Sequence, residues 1–256
     1  MLPSDLERAL LLSIKAAGAL QIGYFITDNA TAARNQIKRL TGIECDVQWS
    51  DVAEAFWGLL ARRMIYVGGA RSFAGCSVWL TEKGQRVLST DDYNPDDRNS
   101  YMRRLLECAP TTSATVQQYL LEALQTYEQE CYLASAVMLG GAAEETTLDV
   151  AASFVKWKGK AAENLEAILN NPRQFYVYKL QEFEKRLKAA KGEIPQEFAE
   201  NLELQITAVL QLIRLTRNDA GHPTGRRIDR ADCYQNLVVY ANTHQKLHRL
   251  KSYFDR

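Results

Sequence analysis

The chain has 256 residues, with Lys+Arg of 31 balancing Asp+Glu of 31, 46% hydrophobic and 24% charged residues. This is ordinary globular composition, long enough for one large domain or two small ones, and it excludes disordered, collagenous and fibrous classes. No run reaches the roughly 18 apolar residues of a membrane span, and Asp5 and Glu7 stand where a secretory signal would be basic, so a cytoplasmic protein with no membrane partner is expected. The five cysteines are scattered, odd in number and without a C-x-x-C pair. They read as reduced, mostly buried thiols, neither a disulfide framework nor a zinc site.

In chain order, Leu6, Leu10 and Ile14 at helical spacing predict a helix over about 5–18. A second is expected near Thr31–Leu40, and a third over Asp51–Arg63 behind a Ser50 cap. Two short strands follow, 64–67 and 77–80, separated by a Gly-rich loop, and then a short helix after Thr81.

A helix ending in basic residues, a hairpin and the string Leu80-Thr81-Glu82-Lys83-Gly84-Gln85-Arg86-Val87-Leu88 resemble the second half of a winged-helix domain, with the hairpin as the wing. The resemblance covers about 45 residues. It implies either DNA binding through the third helix or a module for protein contact or dimerisation. Asp51 and Glu54 at the start of that helix would repel phosphates, and 1–95 carries no net charge, which favours the protein-contact role. If the unit reads DNA, Arg62, Arg63 and Arg71 are its phosphate contacts.

The acidic, turn-forming stretch from Ser89 to Ser100, with Pro95 in it, marks a boundary. The expected division is a winged-helix-like domain over 1–92, an acidic linker over 93–110 and a helical domain over 111–256. The last is expected to hold helices at about Ser113–Glu130, Cys131–Lys156, Ala161–Leu169, Phe175–Lys188, Pro195–Ala220 and Arg230–Phe254. Long helices with short connections predict an antiparallel bundle, and Gly140-Gly141 in mid-helix predicts a close helix crossing. The fold class is thus mainly α.

Charge is uneven. From Arg214 to Arg256 nine basic residues face four acidic ones, and all three histidines (His222, His244, His248) lie there. Ile206, Val209, Ile213 and Arg217 follow one another at helical steps, so Arg217 continues an apolar stripe. Gly221 and Pro223 end that helix at His222. An imidazole can exchange a proton near neutral pH, and a guanidinium can hold a phosphoryl group by two hydrogen bonds. Together they suit metal-free cleavage of RNA by a ribose 2′-hydroxyl, with two chains supplying two histidines.

The string Arg217-Asn218-Asp219-Ala220-Gly221-His222 resembles the Arg, polar residue, spacer, His motif of the HEPN superfamily, and 132–144 is similar to the long second helix of such bundles. The resemblance covers about 111–254. It implies a homodimer through the C-terminal bundle, and phosphate stabilisation by Arg217. It also implies acid–base work by His222, an orienting role for Asn218, and no cofactor or metal. Glu144 or Glu145 would tether Arg217.

The function expected is a metal-independent endoribonuclease of a toxin or antiviral defence system, acting at a composite dimer site. The alternative is a non-catalytic dimeric winged-helix regulator or sensor that uses the bundle for dimerisation or for nucleotide or RNA binding. Arg226, Arg227, Arg230, Lys246, Arg249 and Lys251 are expected to form the RNA-binding surface. His244 and His248 lie four apart with no third ligand in evidence, so they are expected on a solvated or RNA-facing helix, not at a metal. Tyr234, Tyr240 and Tyr253 could stack bases or pack in the core. No P-loop, dinucleotide or nucleophile-elbow motif is present.

Overall fold

The computed structural model describes residues 3–26, 30–44, 47–69, 75–89, 93–200 and 228–256. Over the described residues the protein is mainly helical, with one small antiparallel sheet of three strands. It divides into two compact units, Met1–Ser100 and Tyr101–Arg256. Among the described residues no helix is long and apolar enough to cross a membrane.

In the first unit the order is α1 (Pro3–Ala17), β1 (Leu20–Gln21), α2 (Gly23–Ile26), α3 (Ala30–Thr41), α4 (Trp49–Ala61), β2 (Ile65–Gly68), β3 (Ser77–Leu80) and α5 (Glu82–Ser89). The hairpin strands pair Ile65 with Leu80 and Gly68 with Ser77, while Leu20 pairs with Val78 on the other edge of β3. Strand β1 and the single turn α2 are too short to carry a sequence period and were not foreseen. The core gathers Leu10, Ile14, Ile37, Phe56, Leu59 and Val78. Helix α4 starts two residues before the expected point. Its cap is not Ser50: Asp51 Oδ2 accepts the Gln48 N–H at 2.9 Å, so Asp51 serves the helix start.

The Leu-Thr-Glu-Lys-Gly string has a geometric reason. Thr81 Oγ1 donates to the Arg63 carbonyl at 2.7 Å and accepts the Gly84 N–H at 3.1 Å, capping α5. The Thr81 N–H donates to the Met64 carbonyl at 3.0 Å. A Cβ on Gly84 would lie 2.1 Å from that same carbonyl oxygen, so only glycine lets α5 approach the end of α4 this closely.

The stretch 93–110 is not a linker. Tyr93, Asn94, Pro95 and Asp96 are buried, and Arg98–Cys108 forms a helix, α6, that buries Tyr101, Met102 and Leu105. Asp96 pairs with Arg86 at 3.5 Å, and Asp97 Oδ1 accepts the Ser100 N–H at 3.2 Å. Its acidic residues therefore cap and anchor a helix instead of hydrating a tether.

The second unit is built on α7 (Ala114–Glu128), α8 (Tyr132–Lys158) and the helix Arg230–Phe254, α12. Between them lie α9 (Glu163–Asn170), α10 (Tyr176–Ala189) and the single turn α11 (Gln196–Ala199). Ser135 Oγ donates to the Ala123 carbonyl at 2.7 Å across the α7–α8 hairpin, and a Cβ on Gly141 would come within 2.9 Å of the Tyr119 ring. Cys233 Sγ donates to Ser135 Oγ at 3.2 Å, Tyr240 lies 2.9 Å from Thr146, and Phe254 packs edge-on against Phe154 at 5.4 Å. Partner numbers rise together, so α12 runs the same way as α8 and against α7. The bundle is not antiparallel throughout because α8 and α12 are not consecutive.

The expected single helix from Pro195 to Ala220 is interrupted at its start: α11 ends at Ala199, and the backbone of Glu200 after it is extended. The continuation, 201–227, lies outside the described residues.

Candidate functional site

Arg217, Asn218, His222, Arg226, Arg227 and Arg71 lie outside the described residues. What is described is the frame of the second unit and the remaining residues singled out from the sequence.

The frame is centred on two histidines that are not solvated. Both face the core, His244 4% and His248 8% exposed. The reason lies in spacing: Tyr240, His244 and His248 occupy one stripe of α12 at successive steps of four, together with buried Leu237. Thr112 Oγ1 donates to the Ala109 carbonyl at 2.6 Å, which turns its lone pairs toward His244 Nε2 at 2.9 Å. That nitrogen therefore carries the proton, an assignment from the hydrogen-bond pattern. His244 Nδ1 is then the acceptor, 3.1 Å from Thr146 Oγ1 and 3.4 Å from Tyr240 OH; Thr146 Oγ1 itself donates to the Ala142 carbonyl at 2.8 Å and lies 2.9 Å from Tyr240 OH.

His248 Nε2 accepts from the Thr111 N–H at 3.3 Å and lies 2.7 Å from Thr111 Oγ1, so its proton is on Nδ1. Burial, reinforced by His248, pushes the His244 pKa down to about 4. Burial also lowers that of His248, helped by Lys251 and opposed by Asp255. Both imidazoles are neutral at pH 7, and both His244 nitrogens are occupied. The cluster ties the residues just ahead of α7 to α8 and α12. The regular stripe of Tyr240, His244 and His248, with Thr111 and Thr112 ahead of an expected helix, was the signal for it in the sequence.

The expected RNA-binding residues are only partly together. Lys246 and Arg249 are exposed on neighbouring turns of α12. Arg230 lies 16 positions earlier, about 24 Å along the helix axis from Lys246, and its guanidinium sits 5.7 Å above the Tyr127 ring. Lys251 is held by Asp255 at 2.7 Å.

In the first unit Arg62 is largely buried, 2.5 Å from Glu7, with its Nε donating to the Gly58 carbonyl, so its charge is spent internally. Arg63 is exposed, with a left-handed backbone at φ 57°. Glu144 is half-buried and its carbonyl accepts from Tyr176 OH at 2.6 Å. Glu145 stands one turn from Asp149 on α8. Burial, and secondarily Asp149, push its carboxyl above the usual range.

Among the described residues no group of His, Cys, Asp and Glu could hold a metal. No known protein family, curated protein or solved structure matches the chain.

Proposed function

We propose that the protein is a metal-independent endoribonuclease of the HEPN type, with Arg217 and His222 of two chains forming one composite site. The observation that carries the reading is the string Arg217-Asn218-Asp219-Ala220-Gly221-His222 in the most basic fifth of the sequence. The long α7–α8 hairpin and a further long helix, α12, are in keeping with such a bundle. Arg217 holds the phosphate and its developing charge, Asn218 orients it, and His222 moves the proton. The N-terminal unit, with its hairpin between α4 and α5, takes the part of a winged-helix-like sensor or partner module, in a toxin or defence system. The Arg62–Glu7 pair favours a protein contact over a phosphate grip for that unit.

The test is incubation of the purified protein with RNA in EDTA. Cleavage leaving 2′,3′-cyclic phosphate ends is expected. Intact RNA, or cleavage that requires a divalent metal, rejects the proposal. Sedimentation at micromolar concentration is expected to give a dimer, since the motif of a lone chain offers one histidine, His222, for two proton transfers.

A further inference from the structure

The first unit carries a cavity of about 600 Å³ that the ribonuclease reading does not use. It opens between the end of α1, the β2–β3 hairpin and α5. Ile14 and Leu80 supply apolar lining, Tyr66 and Trp79 an aromatic wall, and Lys15, Glu82, Gln85 and Arg86 polar groups, the Glu82 carboxylate being paired with Arg86. Its size falls within the roughly 300–1,000 Å³ of small-molecule sites.

The aromatic wall is built, not incidental. Tyr66 and Trp79 are directly paired across the hairpin, and their rings stack at 5.4 Å with 16° between planes. Gly69 leaves room for the indole: a Cβ there would stand 2.8 Å from Trp79 Cη2, and its φ of 92° favours glycine. Tyr66 is 49% exposed, so ring surface remains available to a flat ligand.

The polar groups are unequally spent. Arg86 is engaged by Glu82 at 3.1 Å and by Asp96 at 3.5 Å. The Lys15 ammonium is exposed and has no side-chain partner among the described residues, and the same holds for the Gln85 amide. A primary amide offers two donors and an acceptor, the pattern that reads a base edge. A free ammonium beside it takes a phosphate.

We infer that this cavity binds a nucleoside monophosphate unit, its base stacked on Tyr66, its edge met by Gln85 and its phosphate held by Lys15. The unit could be a free nucleotide or one residue of a single strand, because stacking and one phosphate contact are the same chemistry in both. The proposal stands apart from cleavage, so its readout is binding alone.

The experiment is calorimetric titration of the full chain with AMP, adenosine and ribose 5-phosphate, and with a short oligoadenylate RNA. AMP should bind saturably and more tightly than either fragment. Lys15→Met should weaken AMP about fivefold or more, leave adenosine unchanged and remove the salt dependence of AMP binding. Tyr66→Ala should weaken AMP and adenosine alike by about fivefold or more. Gln85→Ala, at an exposed position, provides a third variant should Tyr66→Ala disturb the sheet. If the oligonucleotide competes with AMP and is weakened by the same variants, the source is a strand. If only AMP responds, it is the free nucleotide. No saturable AMP binding up to about 5 mM, a very weak affinity, or AMP binding that none of the three variants changes, overturns the inference.

Discussion

The buried histidine His244 makes the stability of the second unit depend on pH in a calculable way. Its pKa falls from 6.5 to about 4 because burial, and then His248, disfavour the imidazolium. The unfolded chain therefore binds more protons than the folded one between those values, and stability rises with pH across that window. The contribution is complete above about pH 6.5 and lost as pH falls toward about 4. At 1.36 kcal/mol per pH unit, going from pH 7.5 to 5.0 costs the native state about 2 kcal/mol from this group alone. Of the titratable groups nearby, His248 acts on it directly, Asp149 acts on Tyr240, and Lys251 and Asp255 act on His248. The assay is urea unfolding of the wild type and His244→Gln at both pH values. Surface carboxylates titrate alike in the two chains, so the difference of differences isolates His244. The wild type should lose about 2 kcal/mol more than the variant. Equal losses would refute the assignment of His244 as a buried imidazole that stays neutral in the folded chain.

Gly84→Ala should destabilise the first unit by more than about 2 kcal/mol, because its Cβ would lie 2.1 Å from a backbone oxygen that no side-chain rotation can move; a near-normal melting temperature would contradict the α5 placement. Phe154→Ala removes a ring 1% exposed that meets Trp157, Phe183 and Phe254. Denaturant unfolding should report a loss of about 3–5 kcal/mol, and a loss near 1 would mean that α10 and α12 do not close on α8 there. Asp96→Asn should weaken the start of α6 by about 1 kcal/mol through its pairing with Arg86, read as earlier amide exchange over 98–108; unchanged exchange would restore the linker reading.

What the sequence made legible was what is periodic. Helices α7, α8, α10 and α12 lie within a residue or two of their expected bounds because their apolar stripes run for several turns, and strand β3 occupies 77–80 as expected. What escaped was decided by contacts between distant residues. Asp96 looks like a solvated linker carboxylate until Arg86 is placed beside it. His244 looks like a polar face until Thr112 and Thr146, more than ninety positions away, are placed against its two nitrogens. Arg62 looks like a free cation until Glu7 closes on it. For the candidate site, spacing marked Arg217 and His222, but a string of residues carries no distances, and their assignment stays with the chemistry proposed for them.

The most direct test of that proposal is cleavage and binding of the same RNA, in EDTA, by the wild type and by His222→Ala. The account predicts that His222→Ala lowers the cleavage rate by about 10²- to 10⁴-fold, the usual cost of losing acid–base help, while RNA affinity falls only slightly, since a largely neutral imidazole displaces few counterions. Arg217→Ala, in the same assay, should weaken both. Wild-type cleavage by His222→Ala would contradict the account and leave the bundle as a dimerising or binding module.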